Sequence, residues 1–230
     1  FFLLEPPGIP KMGTWDMIRA GIDNLRDLPA DRVNLDDFYS GSVDKNPVDK
    51  IYCKRGGFIP PFEFNPREFN FNMLQMEDTD ANQTLSLLKV KEAMVDAGMN
   101  PSGDVKKNCG CILGIGGGQK ASNQFFSRTN YATVIKVLRN MGMPEEDVAK
   151  AVEKYKAHYP EWRLDSFPGF LGNVTAGRCT NVFNLDGMNC VVDAACASSL
   201  VSIKMAMEEL MTGDVRSMVA GACCTDCSIG

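Results

Sequence analysis

Apolar residues recur along this chain at two spacings, and the two meet near its C-terminus. A short β-branched pair, Val191-Val192, is followed almost at once by Leu200, Ile203, Met207, Leu210 and Met211, placed as one face of a helix. The pattern predicts a buried strand, a tight turn, and an amphipathic helix ended at Gly213-Asp214. Residues 109–115, CGCILGI, and Ser217–Ala222 predict two further buried strands. Helical spacing recurs at residues 14–26 through Trp15, Ile18, Ile22 and Leu25. It recurs at 80–97, where Asp78-Thr79-Asp80 opens a helix with Ala81, Leu85, Leu88, Ala93, Met94 and Ala97 apolar and Gly98 as its cap. Val134, Val137, Leu138 and Met141 predict a helix over 127–141 that stops at Gly142. Pro144 starts another with Val148, Ala151, Val152 and Tyr155 as its stripe. After Asp165–Gly169 comes a shorter run to Arg178, then Val182-Phe183 before a turn at Asp186-Gly187. Strands separated by helices imply an α/β domain with a largely parallel sheet.

Two stretches carry no usable period. Residues 1–12 hold three prolines and read as an irregular lead-in, leaving 13–230 as the domain. From Leu28 to Asn72 the chain is rich in Pro, Gly, Asp and Asn, and a loop of that length needs a packing core of its own. Phe58, Phe62, Phe64, Phe69 and Phe71 are the residues to supply it.

With 230 residues, 44% of them hydrophobic, the chain can bury a substantial core. A net charge of −5 and a pI near 5.0 argue against nucleic acid or an anionic membrane as partner. No apolar run has the length of a membrane span, and Phe1–Leu4 is halted by Glu5-Pro6-Pro7 without a basic flank, so the simplest reading is a cytoplasmic protein without a signal peptide. The nine cysteines are irregularly spaced in a chain too large to need staples, which predicts reduced thiols.

One of those thiols has the setting of a nucleophile. Cys196 falls at the predicted strand-to-helix turn, where unpaired N–H groups and the positive end of the helix dipole favour a thiolate over a thiol. Its neighbours Ala195, Ala197 and Ser198 are small, so a substrate carbonyl can reach sulfur and backbone together, and the N–H of Cys196 is placed to be half of an oxyanion hole. A cysteine is also an ordinary small core residue, and spacing alone does not separate the two roles.

Rival signals are weaker. Gly114-Ile115-Gly116-Gly117-Gly118 has Gln119 where a dinucleotide fingerprint needs its last glycine, so it reads as a tight turn or close backbone approach. Cys224-x-x-Cys227 lacks a second ligand pair and reads as sheet packing rather than zinc. His158, the single histidine, stands at the end of the 145–157 pattern, where a cation suits a helix C-terminus.

The stretch DAACASSL resembles the active-site signature of β-ketoacyl synthases, the condensing enzymes of fatty-acid and polyketide synthesis. GTWDMIRAGIDNLRDLPADRVNLDDFY, helix 80–97 with its Asp-Ala-Gly, GNVTAGRCTNVFNLDG and GDVRSMVAGA are similar to further segments of that family. KRGGFIPPFEFNPREFNFN, GIGGGQKAS and EWRLDSFPGFLGNVTAGR look most like the ketosynthase domain of bacterial polyunsaturated fatty-acid synthases. The resemblance implies the N-terminal half of a duplicated, thiolase-like α-β-α-β-α fold, truncated here. It also implies that Cys196 takes an acyl group from the phosphopantetheine of an acyl carrier protein, with no cofactor bound to the chain itself. Condensation with a malonyl thioester would follow, in a homodimer joined through the strand Asn189–Asp193. The family's two catalytic histidines, in an H-G-T-G-T stretch and a later G-H motif, lie beyond the region matched. Its first strand is not recognisable in FFLLEPPGIPK. The expectation is therefore a partial ketosynthase that can be acylated but does not condense alone. A thiolase or cysteine hydrolase, or a dimerisation and carrier-docking module without catalysis, are the other readings.

Overall fold

A left-handed glycine, Gly21 at φ 63°, ends the first helix, α1 (Thr14–Arg19), well short of the predicted residue 26. The Gly21 and Ile22 N–H groups turn back onto the Ile18 and Met17 carbonyls, a pairing that closes a helix end and forbids its continuation. The computed structural model describes residues 14–30, 33–43, 48–102, 107–116 and 119–225. The lead-in 1–12, Gly117-Gly118 and Cys227 therefore lie outside the described residues.

Two units are distinguished, one ending at Glu63 and one spanning Phe64–Thr225. In the first, β1 (Arg26–Asp27) pairs antiparallel with β2 (Arg55–Gly56), and α2 (Leu35–Phe38) lies between them in sequence. The predicted face of α1 is inverted: Met17 is buried, while Trp15, Ile18 and Leu25 are exposed.

The second unit begins with a 3-10 turn at Pro66–Phe69, capped by the Asn65 side chain, and α3 (Met73–Asp78). Phe64 stacks on Phe69 at 4.8 Å and meets Phe71 edge-on at 5.6 Å, so three of the five phenylalanines do form packed core. Next comes α4 (Ala81–Asp96), opened by the Asp80 carboxylate on the Asn82 N–H and followed by left-handed Gly98. Its first turns are buried almost all round, polar Asn82, Gln83, Thr84 and Ser86 included. Gln83 offsets its burial by donating Nε2 to the carbonyls of Pro168, Gly169 and Leu171.

Strand β3 (Cys109–Gly114) is buried at every position and is the middle of a three-stranded parallel sheet. The predicted helix 127–141 is two helices, α5 (Lys120–Thr129) and α6 (Tyr131–Asn140), meeting at Asn130, and none of α6 is buried. Helix α7 (Glu145–Ala157) buries Val148 and Val152 as its stripe predicts. The Asp165–Gly169 segment is a short helix, α8 (Ser166–Phe170), and the two runs after it join as one helix, α9 (Val174–Phe183). Strand β4 (Asn189–Val192) pairs with β3, at the sheet edge among the described residues, and is half-buried rather than buried as the pattern predicts. Helix α10 (Ser198–Thr212) leads to β5 (Ser217–Ala222), which flanks β3 on its other side.

Helix α10 packs across β3 and β5 on the face opposite to the predicted one. Ser198, Ser202 and Ala206 are buried, whereas Leu200, Met207, Leu210 and Met211 are exposed. Small residues one turn apart let the helix axis come close to the strands. At Gly114 the approach leaves no room for a side chain: a Cβ there would lie 2.7 Å from Ser198 Cβ and 2.8 Å from Ala222 Cβ. Among the described residues, no helix is long and apolar enough to cross a membrane.

Candidate active site

Because all three strands of the larger unit run the same way, the segments leaving their C-terminal ends gather at one edge of the sheet. Ile115 donates its N–H to Val192 O at 3.1 Å, and Cys223 donates to Gly114 O at 2.9 Å. The β4 exit then turns sharply into α10. Its Asp193 carboxylate takes the Ala195 N–H at 2.9 Å and lies so near Gly116 that a Cβ there would be 2.5 Å from Oδ1. That contact is the close approach expected of the glycine-rich segment.

The turn itself is a 3-10 turn over Ala195–Ala197 with Ala195 at φ 49°, a left-handed value costly for a residue with a Cβ. Ser198 holds it. The Ser198 hydroxyl donates to Ala195 O at 2.7 Å and accepts the Ala194 N–H at 2.9 Å, from a position only 4% exposed. The outcome is that Cys196 projects outward, exposed, ahead of the first turn of α10, while Ser198 points into the protein. Among the described residues the Cys196 N–H has no acceptor, so thiol and unpaired donor sit together at the start of the helix. Ala195 and Ala197 flank them without bulk.

The other thiols differ. Cys109, Cys111 and Cys179 are buried core. Burial pushes the Cys109 thiol up, and a hydrogen bond with Cys111, together with burial, pushes Cys179 well up. Cys223 is pushed up to about 12 by burial. Cys53 and Cys224 are exposed like Cys196, but neither adjoins a helix start. His158 is exposed at the C-cap of α7, and no hydrogen bond joins it to Cys196. Among the described residues no three metal-ligating side chains converge.

Sequence reasoning missed the groups that fix this edge from behind. The buried Asp80 carboxylate accepts from the Asn82 N–H in α4 and, through its other oxygen, from the Ala121 N–H in α5. Asn82 in turn accepts the Thr225 N–H beyond β5 and donates to Gln119. The one sequence signal for this was the run Asp80-Ala81-Asn82-Gln83-Thr84, too polar for a helix that enters a core unless its side chains serve neighbouring backbones.

Comparison with known proteins agrees with this geometry. Residues 5–230 match the family described as beta-ketoacyl synthase, N-terminal domain. The chain is 66% identical over 225 residues to a polyunsaturated fatty acid synthase of Thraustochytrium sp., covering 98% of this chain and 8% of that protein. It is 27% identical to a polyketide synthase of Streptomyces halstedii, covering 90% of this chain and 3% of that one. Among solved structures, the PfaC keto synthase-chain length factor superposes with a TM-score of 0.69 at 26% identity, over 90% of this chain and 22% of that one. A ketosynthase domain of Streptomyces albus superposes at 0.63 with 23% identity, over 90% and 30% of the two chains, and supports the thiolase-like fold. With its parallel sheet and a family match over residues 5–230, the chain belongs to the β-ketoacyl synthase N-terminal domain family.

Proposed function

We propose that this chain supplies the nucleophile of a decarboxylative carbon–carbon condensation, with Cys196 carrying the acyl group. The observation that carries the proposal is the outward thiol of Cys196 beside its own unpaired N–H at the start of α10. In the first step the thiolate attacks the carbonyl of an acyl thioester on the phosphopantetheine arm of an acyl carrier protein. A carbon–sulfur bond to Cys196 forms, the bond to pantetheine breaks, and the carrier thiol leaves with a proton. The Cys196 N–H is one donor to the oxyanion of that tetrahedral intermediate. In the second step a malonyl thioester loses carbon dioxide, and its α-carbanion attacks the Cys196 thioester. Cys196 is released and the carrier holds a β-ketoacyl chain two carbons longer.

Ala195 and Ala197 keep the approach open, and Ser198 acts through the turn it braces. Residues 13–230 make up the partial synthase domain in this reading, with the polyunsaturated fatty-acid pathway favoured by the Thraustochytrium relative. The outer edge of β4, without a strand partner among the described residues, supports a homodimer through Asn189–Asp193. A carrier-bound substrate fits a cytoplasmic setting. The sequence holds one histidine, His158, which caps α7 and has no hydrogen bond to Cys196, so in this reading the chain alone accepts an acyl group without condensing it.

Intact-mass spectrometry with an acyl-pantetheine thioester tests the proposal. One acyl adduct is expected on the wild-type chain and none above background on Cys196→Ala. Equal labelling of both would remove Cys196 as nucleophile.

A further inference from the structure

A second polar concavity opens on the same unit, built around a cation with no hydrogen-bond or ion-pair partner among the described residues. Arg178, in the middle of α9, lays its guanidinium over the Phe71 ring at 4.7 Å from the centroid. Stacking covers one face of the group and fixes its plane. Its Nε is fully buried and has no hydrogen-bond partner. Among the described residues no carboxylate lies within ion-pair distance of it. The acid that acts on it from further off is Asp165, whose Oδ1 already receives Nε2 of Gln75 at 3.1 Å. Burial pulls the Arg178 pKa down, the direction expected of a cation stripped of water without a paired acceptor. Beside the guanidinium lies a cavity of about 540 Å³ lined by Asn70, Gln75, Gly177 and Asn181 as well as Phe71.

An arginine stays charged, and a half-buried guanidinium whose Nη groups have no hydrogen-bond partner among the described residues is stabilised most by an acceptor that takes two parallel N–H groups at once. We propose that the cavity beside Arg178 is an oxyanion-binding site, taking a carboxylate or phosphate group end-on through the two Nη groups, with the amides of Asn70 and Asn181 at its rim. The site is separate from the Cys196 turn, and its occupancy does not depend on the acyl chemistry proposed there. Phe71 and Val182 give it an apolar wall, so a small organic acid or phosphate ester fits it better than a bare ion.

Isothermal titration of the purified protein with inorganic phosphate, and separately with acetate, tests the proposal and tells the two sources apart. Binding of either probe is expected for the wild type and lost by about tenfold or more in Arg178→Gln. Asn181→Asp is the second variant, since Asn181 is an exposed position one turn from Arg178. Its added carboxylate occupies the guanidinium and repels an incoming anion, so binding weakens by about tenfold or more with the arginine still present. Tighter phosphate binding assigns the site to phosphate esters, and tighter acetate binding to carboxylates. No binding of either probe by the wild type, or equal binding by the wild type and both variants, overturns the proposal.

Discussion

Removing one hydroxyl, in Ser198→Ala, tests whether the turn that presents Cys196 is held in the way described. That oxygen is buried and directs both its capacities to backbone, accepting from Ala194 N–H and donating to Ala195 O. Alanine leaves the Ala194 N–H without a partner, which costs about 1–3 kcal/mol. The Ala195 carbonyl suffers less, because the Ser198 N–H still reaches it. A net loss of about 2 kcal/mol corresponds to a fall of about 4–8 °C in Tm for a chain of this size. The second effect is local. Ala195 is held at φ 49°, a conformation worth about 1–2 kcal/mol of strain, and without the hydroxyl the turn is free to relax it. If relaxation withdraws Cys196 and its N–H by that much free energy, the rate of acyl labelling at Cys196 falls by about tenfold. Thermal melting and time-resolved mass spectrometry with the thioester probe read the two effects, with Cys196→Ala as the background for Cys53 and Cys224. Ser202→Ala is the control. Its hydroxyl donates to Ser199 O and Gly221 O one turn further along, so its loss lowers Tm and leaves the labelling rate alone. A Ser198→Ala protein that labels at the wild-type rate would refute the bracing role, whatever its Tm.

Two further outcomes are expected. Gly114→Ala drives a Cβ against Ser198 Cβ, Ala222 Cβ and the Ser198 backbone carbon, none of which is the end of a flexible side chain. It should cost about 3 kcal/mol in denaturant titration and slow Cys196 labelling, and a neutral result would mean that α10 does not sit this close to β3. The buried thiols predict a loss of stability in alkali. Cys223 ionises at about 12 in the folded protein against an ordinary 9.0, and Cys109 and Cys179 are raised too. Above pH 9 the unfolded chain releases these protons and the folded one keeps them, so each thiol weakens the fold by up to about 1.4 kcal/mol per pH unit until its folded value is reached. Stability carried by these protonated thiols is full below pH 9. Urea unfolding at intervals up to pH 11 checks the slope, which should flatten in Cys223→Ala and is wrong if the two proteins run parallel.

The sequence was most legible where one residue type has one structural use. The glycines at 98, 142 and 213 all adopt positive φ at helix ends, Asp80 caps α4, and the apolar runs at 109–114 and 217–222 are strands. It misled where a pattern has two physical readings. The stripe of Leu200, Met207, Leu210 and Met211 is a true helical stripe, yet the sheet takes the serine and alanine side, because only small residues permit the approach at Gly114. Periodicity states that a helix has two faces without stating which faces inward. The same limit applies to α1, where Gly21 stopped the helix before its stripe was complete, and to α6, where Val137 and the C-cap residue Met141 are exposed. Polar burial was the least legible of all. Nothing in a hydrophobic pattern marks Gln83 as fully buried, since its place depends on three carbonyls from the Pro168–Leu171 segment, distant in sequence. For the site, residue type and turn position marked Cys196 as a candidate, and the resemblance of DAACASSL to a ketosynthase signature, not spacing, set it apart from a core cysteine. The inward direction of Ser198 was not legible, because it rests on hydrogen bonds to the Ala194 N–H and the Ala195 carbonyl that no residue pattern announces.

The shared carboxylate of Asp80 has a consequence for how this domain breathes. Two helices that start far apart along the chain end on one acceptor, so neither can fray at its beginning without releasing the other. They form a single opening unit, and the intervening stretch is moored at both ends. Within it β3 is held separately, by its place in the middle of the sheet, so the mooring at Asp80 governs the two helix starts and not the strand between them.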